Sequence, residues 1–399
     1  MRVLQTGDWH LSNSGTIAGR YVLRDGVNLC LWDKIQSLRI ICEYAEENEL
    51  DLIAVTGDLF DKANPESVAI KVGVEAIERL SENAPVVIVK GNHDGGKGSE
   101  AANALAPFGR WSERFGVYVS ERPQVFSILS KGRKMQVFTL PYPRKSALYN
   151  APQYKTLSPE EVSRFVGFKM EDILTGFTAQ LDKGALNILV GHVTLAGGMY
   201  SKEQTVPPFD ISIRKEFVEK FDLPLLGHLH MPQEFYAGAI FRGGFGEEET
   251  TVGFKVHEVQ EDSSIGWTRI DEQFIELPSR RYVTLKADEF LQDSAQTIEK
   301  YGPEAAIRIK GRVQRHEYDE IVKKIKALHF PFVKNAVEME SDAVRVEEDG
   351  ISQEPTVDEA IRIWGQHKDG VDKFIDKLVV AAKEIEYKWK TEKGERDAV

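Results

Sequence analysis

The chain has 399 residues, 42% of them hydrophobic and 29% charged, with a formal net charge of −12. That length allows two or three domains with a substantial core. The acidic balance argues against broad nonspecific attraction to nucleic acid, though not against a local basic surface. No apolar run is long enough to span a bilayer, and residues 1–6 carry no signal-peptide pattern, so a cytoplasmic setting without a membrane partner is expected.

In chain order, residues 3–6 read as a short strand. Trp32, Ile35, Leu38, Ile41 and Ala45 then fall at helical spacing. The only cysteines, Cys30 and Cys42, lie in that helix and read as core filler, which fits a reducing compartment. Residues 52–56 form a buried strand. Asn64-Pro65 opens a helix carrying Val68, Val72, Ala76 and Leu80, and residues 86–89 and 137–140 are further strands. Ser158-Pro159-Glu160-Glu161 has the spacing of a capping box. Residues 186–190 and 223–226 are apolar strands, and the pattern turns to β at 252–259 and 267–275. The sum is an α/β (α+β) fold, a mostly parallel or mixed sheet layered with helices.

Pro278-Ser279-Arg280-Arg281 marks a boundary. A small β-α-β-α-β domain follows it, with strands at 282–285, 305–313 and 332–339. Glu347-Glu348-Asp349-Gly350 reads as a linker, and Thr356-Val357-Asp358-Glu359 caps a helix containing Ile361 and Trp364. A last helix carries Ile375, Leu378, Val379, Ala382, Ile385 and Trp389. The expected domains are 1–277, 278–345 and 346–399.

Five of the strands run into glycine and then a polar side chain: VLQTGDWH, LIAVTGDLFD, VVIVKGNHD, NILVGH and LPLLGHLH. One such segment alone describes an ordinary turn. Five of them would gather at the carboxyl rim of a sheet, where α/β proteins bind ligands, with glycine permitting a sharp turn. The rim then collects Asp8, His10, Asp58, Asn92, His93, His192, His228 and His230. Five of the nine histidines are in these motifs, and His257, His316, His329 and His367 are left with surface or capping roles. Imidazole and carboxylate without thiolate suit manganese, iron or zinc. Two such dications about 3.5–4 Å apart form the clamp of phosphoester hydrolysis. With Asp8 and Asp58 the only charged members of the shell, two dications leave two positive charges, which attract phosphate even in an acidic protein.

In order, the motifs are GDxH, GDxxD, GNHD, GH and GHxH. As a set they resemble the calcineurin-like metallophosphoesterase superfamily, and within it the SbcD-type nuclease subunits of DNA double-strand-break repair. The segments "MRVLQTGDWHL", "GDLFD" and "FGEEETTVGFKVHEV" carry the second resemblance. It implies one metal ion on Asp8, His10, Asp58 and His230, and another on Asp58, Asn92, His192 and His228, bridged by Asp58. His93 is implied as a general acid and Asp61 as the residue that orients it, although some members have histidine in place of Asp61. Manganese is the first choice of metal, with iron, zinc and magnesium open. The implied activity is 3′→5′ exonuclease action on duplex ends and endonuclease action on hairpins or single strands. The implied partners are DNA, an SbcC-like ATPase on the C-terminal helices, and a second copy of the chain.

Arg308, Lys310 and Arg312 alternate with apolar residues, so they share one strand face that either grips a DNA backbone or is simply solvated. Trp111 and Phe235-Tyr236 are candidates for stacking on bases, with core packing the stronger alternative. Two other functions compete. One is a small-molecule phosphatase or cyclic-nucleotide phosphodiesterase on the same site. The other is a non-catalytic scaffold, against which the full ligand set argues.

Overall fold

The computed structural model describes residues 1–95, 103–110, 115–143, 157–204, 210–262, 266–328, 330–340, 361–362 and 374–385. The strands Leu52–Val55 and Val86–Val89 are apolar throughout and buried along their whole length, as strands are when both faces of their sheet are covered. They lie in a six-stranded sheet ordered Gly266–Glu276, Gly253–Asp262, Arg2–Thr6, Leu52–Val55, Val86–Val89 and Val117–Ser120. Pairing is antiparallel in the first two steps and parallel in the rest. A second sheet, ordered Leu223–Gly227, Leu186–His192, Arg133–Leu140 and Gln124–Ser130, packs against it.

Val3, Ala54, Val87 and Val89 of the first sheet share a core with Val137, Ile188, Val190 and Leu225 of the second. Helices Leu29–Glu47 and Ser67–Ser81 cover the outer face of the first sheet. Helix Pro159–Thr178 covers that of the second. The centre is therefore two sheets face to face, where the sequence pattern suggested one. Val117–Ser120 and Gln124–Ser130, absent from the sequence reading, end in no glycine motif and are edge strands with partly exposed residues.

Helix Pro159–Thr178 starts at the expected box: Ser158 Oγ accepts from the Glu161 N–H and the Glu161 carboxylate accepts from the Ser158 N–H. Helix Ser67–Ser81 starts later than Asn64-Pro65, with extended Glu66 as its N-cap. The Glu66 carboxylate is occupied by Lys62 and the Asn13 N–H instead of capping the helix. Cys42 is core, but Cys30 is only half-buried.

Strands Tyr282–Lys286, Ala306–Val313 and Val333–Met339 form a separate parallel sheet. Leu285, Ile307, Ile309 and Val333 pack on one face with residues of helices Ala287–Gln292, Ser294–Glu299 and Arg315–Ala327. On the other face, Tyr282, Ala306 and Phe332 dock onto Ile17 and Leu29. Arg280, inside the boundary stretch, is an anchor: its Nε and Nη2 donate to the two Asp33 carboxylate oxygens at 2.8 and 2.9 Å, and its Nη1 donates to Glu304.

Two compact units divide the chain, Met1–Glu340 and Ser341–Val399. In the second, residues 374–385 are helical, with Val379 buried, Ile375 and Ala382 half-buried, and Leu378 and Ile385 exposed. Residues 347–350 and 356–359, Trp364 and Trp389 lie outside the described residues. Among the described residues, no helix is long and apolar enough to cross a membrane.

His257 is not on the surface. It is 1% exposed, and its Nε2 donates to Gln5 Oε1 at 2.9 Å. The Gln5 amide nitrogen donates in turn to the carbonyls of Leu226 and Phe235. Burial, then Lys255 and Arg269, push the His257 pKa down to about 3. Glu272, 3.4 Å from His257 Nδ1, is already engaged by Lys255 and Arg269. His316 is exposed, and His329 and His367 lie outside the described residues. A ring held neutral in the fold but normally basic in the unfolded chain stabilises fully above about pH 6.5, and that stability is lost as pH falls toward 3. His257→Gln is therefore expected to flatten the acid limb of stability by up to about 1.4 kcal/mol per pH unit, read from urea unfolding across that range.

Candidate metal centre

The five strand ends are shaped by close approach as much as by turning. Asp8 (φ 50°), His10 (φ 45°), Asp58 (φ 49°) and His228 (φ 101°) adopt left-handed backbone, which side chains normally avoid. The polar residues themselves therefore make most of the sharp turns. Among the motif glycines, Gly7, Gly57, Gly91, Gly191 and Gly227, only Gly57 has a positive φ. The others chiefly leave room. A Cβ on Gly91 would lie 2.0 Å from Asp58 Oδ1, and one on Gly227 would lie 2.2 Å from the Thr56 carbonyl oxygen.

Asp58 is the meeting point. Its Oδ1 accepts the His93 N–H at 2.8 Å. Its Oδ2 lies 3.3 Å from His192 Nε2 and 3.7 Å from His10 Nε2. On one side, His10 Nε2 and His230 Nε2 are 3.1 Å apart, and one ligand atom each from Asp8, His10 and His230 falls within 4.8 Å of the others. On the other, His192 Nε2 and His228 Nδ1 lie 3.0 and 2.9 Å from Asn92 Oδ1, and Asp58, His192 and His228 meet the same 4.8 Å limit. The Asp8 carboxylate accepts the His228 N–H, which ties the two sides together. Gln204 clips the last loop, donating to the His228 carbonyl and accepting from the His230 N–H.

The second nitrogen of each of these four rings meets an oxygen. His192 Nδ1 donates to the Thr56 carbonyl at 2.7 Å. His10 Nδ1 faces Asp61 Oδ1 at 3.4 Å, His228 Nε2 faces Asp210 Oδ2 at 3.3 Å, and His230 Nδ1 faces Glu247 Oε1 at 3.6 Å. Placing the ring proton on that side leaves the inward nitrogen with its lone pair, the form in which imidazole ligates a cation. Four inward lone pairs around two carboxylates that are 1% and 2% exposed, Asp8 and Asp58, make a donor set that fits two divalent cations. Positive charge there would offset the cost of burying both aspartates. Asp210 and Glu247 are outside the glycine motifs. Only the run FGEEE, which contains Glu247, gave any signal.

Burial works against both the Asp58 carboxylate and a protonated His192, but their attraction prevails. Asp58 is held well below the usual carboxylate range and His192 is lifted to about 9. Burial lowers His10, and the His10 bond brings Asp61 down to about 2. The Asp61 carboxylate is closer to His10 than to His93, whose Nδ1 is 3.9 Å from Asp61 Oδ1 and donates instead to the Asp61 carbonyl at 2.9 Å. Asp94 supports the GNHD loop, accepting from the N–H groups of Phe60 and Gly91. Burial and Asp58 push it up to about 7.

A cavity of about 380 Å³ opens over the cluster, lined by His93, Lys34, Phe241 and Tyr282 among others. The sequence reading missed Lys34. It is buried, its Nζ donates to the His10 carbonyl and lies 4.0 Å from the Phe241 ring centroid, and burial lowers it to about 8.

Arg308, Lys310 and Arg312 are not part of this cluster. They sit on the face of the three-stranded sheet opposite its helices. Arg308 is half-buried, bonded to Thr284 and 4.7 Å over the Phe245 ring. Arg312 pairs with Glu338 at 3.0 Å, and Lys310 is exposed. Strand register sets Lys286 beside Lys310 and Lys334 beside Arg308. Phe235 and Tyr236 are core residues, the Tyr236 hydroxyl donating to the Val193 carbonyl, so neither is placed to stack on a base. Trp111 lies outside the described residues.

A calcineurin-like phosphoesterase family model matches residues 1–232, a span that holds all five motifs. The chain is also 26% identical over 301 residues to the SbcD component of the nuclease SbcCD of Staphylococcus epidermidis, covering 72% of this chain and 73% of that protein.

Gly91→Ala must displace Asp58. The expected outcome is a loss of about 2–3 kcal/mol in urea unfolding together with weakened Mn2+ uptake. Unchanged values for both would show that the loop yields without cost.

Proposed function

The chain belongs to the calcineurin-like phosphoesterase family, and from that premise we propose that it is the metal-dependent DNA nuclease subunit of an SbcCD-like end-processing complex. The observation that carries the reading is the buried Asp58 carboxylate, set between His10 on one side and His192 on the other. In this reading Asp8, His10, Asp58 and His230 hold one divalent ion, and Asp58, Asn92, His192 and His228 the other, with manganese the first candidate. Bound there, such ions supply charge for phosphate oxygens and make water acidic enough to yield a nucleophile near neutral pH. His93 lines the cavity with its Nδ1 proton directed to the Asp61 carbonyl, so its Nε2 is the atom that would deliver a proton to the leaving oxygen. Asp61 would keep the neighbouring His10 and His93 rings oriented.

DNA as the substrate rests on the similarity to a nuclease component and on the strip formed by Lys286, Lys310, Arg312 and Lys334. Such a strip would hold several phosphates of a long polyanion. The proposal includes 3′→5′ exonuclease action on duplex ends, endonuclease action on hairpins and single strands, a cytoplasmic location and a homodimer. It also includes an SbcC-like ATPase docking on helix 374–385, where Leu378 and Ile385 are exposed.

His93→Ala is expected to retain Mn2+ while losing cleavage by about 10²–10⁴-fold, whereas Asp58→Ala loses metal as well. Loss of an ion from His93→Ala, seen in elemental analysis, would make His93 a ligand. The double change Lys310→Ala with Arg312→Ala should depress duplex cleavage more than hydrolysis of a small phosphodiester, and lower the salt slope of DNA binding by about 2. A wild-type protein that ignores DNA yet rapidly hydrolyses phosphomonoesters would replace the nuclease reading with the phosphatase one.

A further inference from the structure

Asp210 lies eighteen residues before His228 and outside every glycine motif, yet more hydrogen-bond donors converge on it than the chemistry so far requires. Its Oδ2 accepts from Thr194 Oγ1 at 2.5 Å and from the Tyr200 hydroxyl, and its Oδ1 accepts from the Tyr142 hydroxyl at 3.1 Å. His228 Nε2 approaches the same Oδ2 at 3.3 Å. Three hydroxyls, one at Tyr142 and two from the stretch 194–200, thus hold the carboxylate in place, and the imidazole is its fourth partner. With its side chain 8% exposed, Asp210 depends on those donors in place of water.

His228 needs such an anchor more than the other rings do. It presents Nδ1, the nitrogen nearer the backbone, to Asn92, whereas His10, His192 and His230 present Nε2 inward. Its backbone sits at φ 101°, an unfavourable conformation for a side-chain-bearing residue. A ring free to rotate would turn a carbon toward Asn92, and one carrying its proton on Nδ1 would offer N–H where a lone pair is needed. Glu247 is the counterpart on the other side. It is 2% exposed, held by Ser201 Oγ at 2.5 Å and the Gly243 N–H at 2.6 Å, and it faces His230 Nδ1.

We infer that Asp210, clamped by Thr194, Tyr200 and Tyr142, is the positioning residue that fixes the His228 tautomer and so selectively assembles the metal site shared by Asp58, Asn92, His192 and His228, with Glu247 doing the same for His230 in the other site. The inference rests on the metal-dependent reading above and adds residues that touch neither metal nor substrate. Loss of Asp210 therefore weakens one of two ions, where a general structural defect would weaken both.

The test is calorimetric titration of the metal-free, full-length protein with Mn2+ alone, with thermal melting of the metal-free form as the control for folding. The wild type should take up two ions. Asp210→Ala should weaken one of them by about 10–100-fold and leave the other within about twofold. Asp210→Asn, whose carbonyl oxygen can still accept the Nε2 proton without the charge, should fall between Asp210→Ala and the wild type. Glu247→Gln should weaken the other ion, so that combining it with Asp210→Asn weakens both. If Asp210→Ala does not fold, Asp210→Asn decides. Two unaltered affinities, or equal weakening of both ions, overturn the assignment while leaving the functional reading in place. A wild-type protein that binds no Mn2+ overturns both.

Discussion

The Asp58 carboxylate lies within 3.7 Å of ring nitrogens delivered by two different sheets, His10 from the first and His192 from the second. Burying an unpaired carboxylate costs several kcal/mol, so its partners must arrive from both directions at once. That requirement sets how the sheets meet. A Cβ on Gly57, in the first sheet's loop, would fall 2.3 Å from the His192 ring. One on Gly227, at the end of a strand of the second sheet, would fall 2.2 Å from the Thr56 carbonyl. Any side chain at either glycine would force the two strand ends apart and withdraw one set of imidazoles from Asp58. The apolar layer between the sheets and the polar cluster at their rim are thus two ends of one packing arrangement.

Around the rim, four imidazoles are each held by an oxygen of different origin: a backbone carbonyl at Thr56 and carboxylates at Asp61, Asp210 and Glu247. Left-handed backbone at Asp8, His10, Asp58 and His228 persists because neighbouring hydrogen bonds over-determine it. The Asp8 and His10 N–H groups donate to the carbonyls of Gly57 and Asp58, both at 2.9 Å. Lys34 adds a donor to the His10 carbonyl from the helix above. Pre-ordering of this kind suits a site that must receive cations without rearrangement, since the strain is met during folding.

A net charge of −12 describes the whole chain and not its local surfaces. Screening limits exposed charges to a range of about 8 Å at physiological salt, so a strip of cations acts on what lies against it. Lys286, Lys310, Arg312 and Lys334 occupy the sheet face that carries no helices, and the bidentate contact of Arg280 with Asp33 holds that sheet on the main body.

The sequence by itself determined which residues stand at the strand ends. A buried strand, a small residue and then a ligand-type side chain is a local pattern, and its recurrence five times carries chemistry that one instance does not. The capping box at Ser158 was legible for the same reason, because its partners are three residues apart. Only the tertiary structure decided that two sheets meet face to face at the centre, that Asp210 and Glu247 stand behind His228 and His230, that Lys34 reaches His10, and that His257 is buried against Gln5. It also brought Lys286 and Lys334 beside Lys310 and Arg308 through strand register. A lone aspartate or lysine has many uses, and which one it serves depends on partners brought close by packing and by hydrogen-bond register. Those are interactions between distant segments, and no local pattern encodes them.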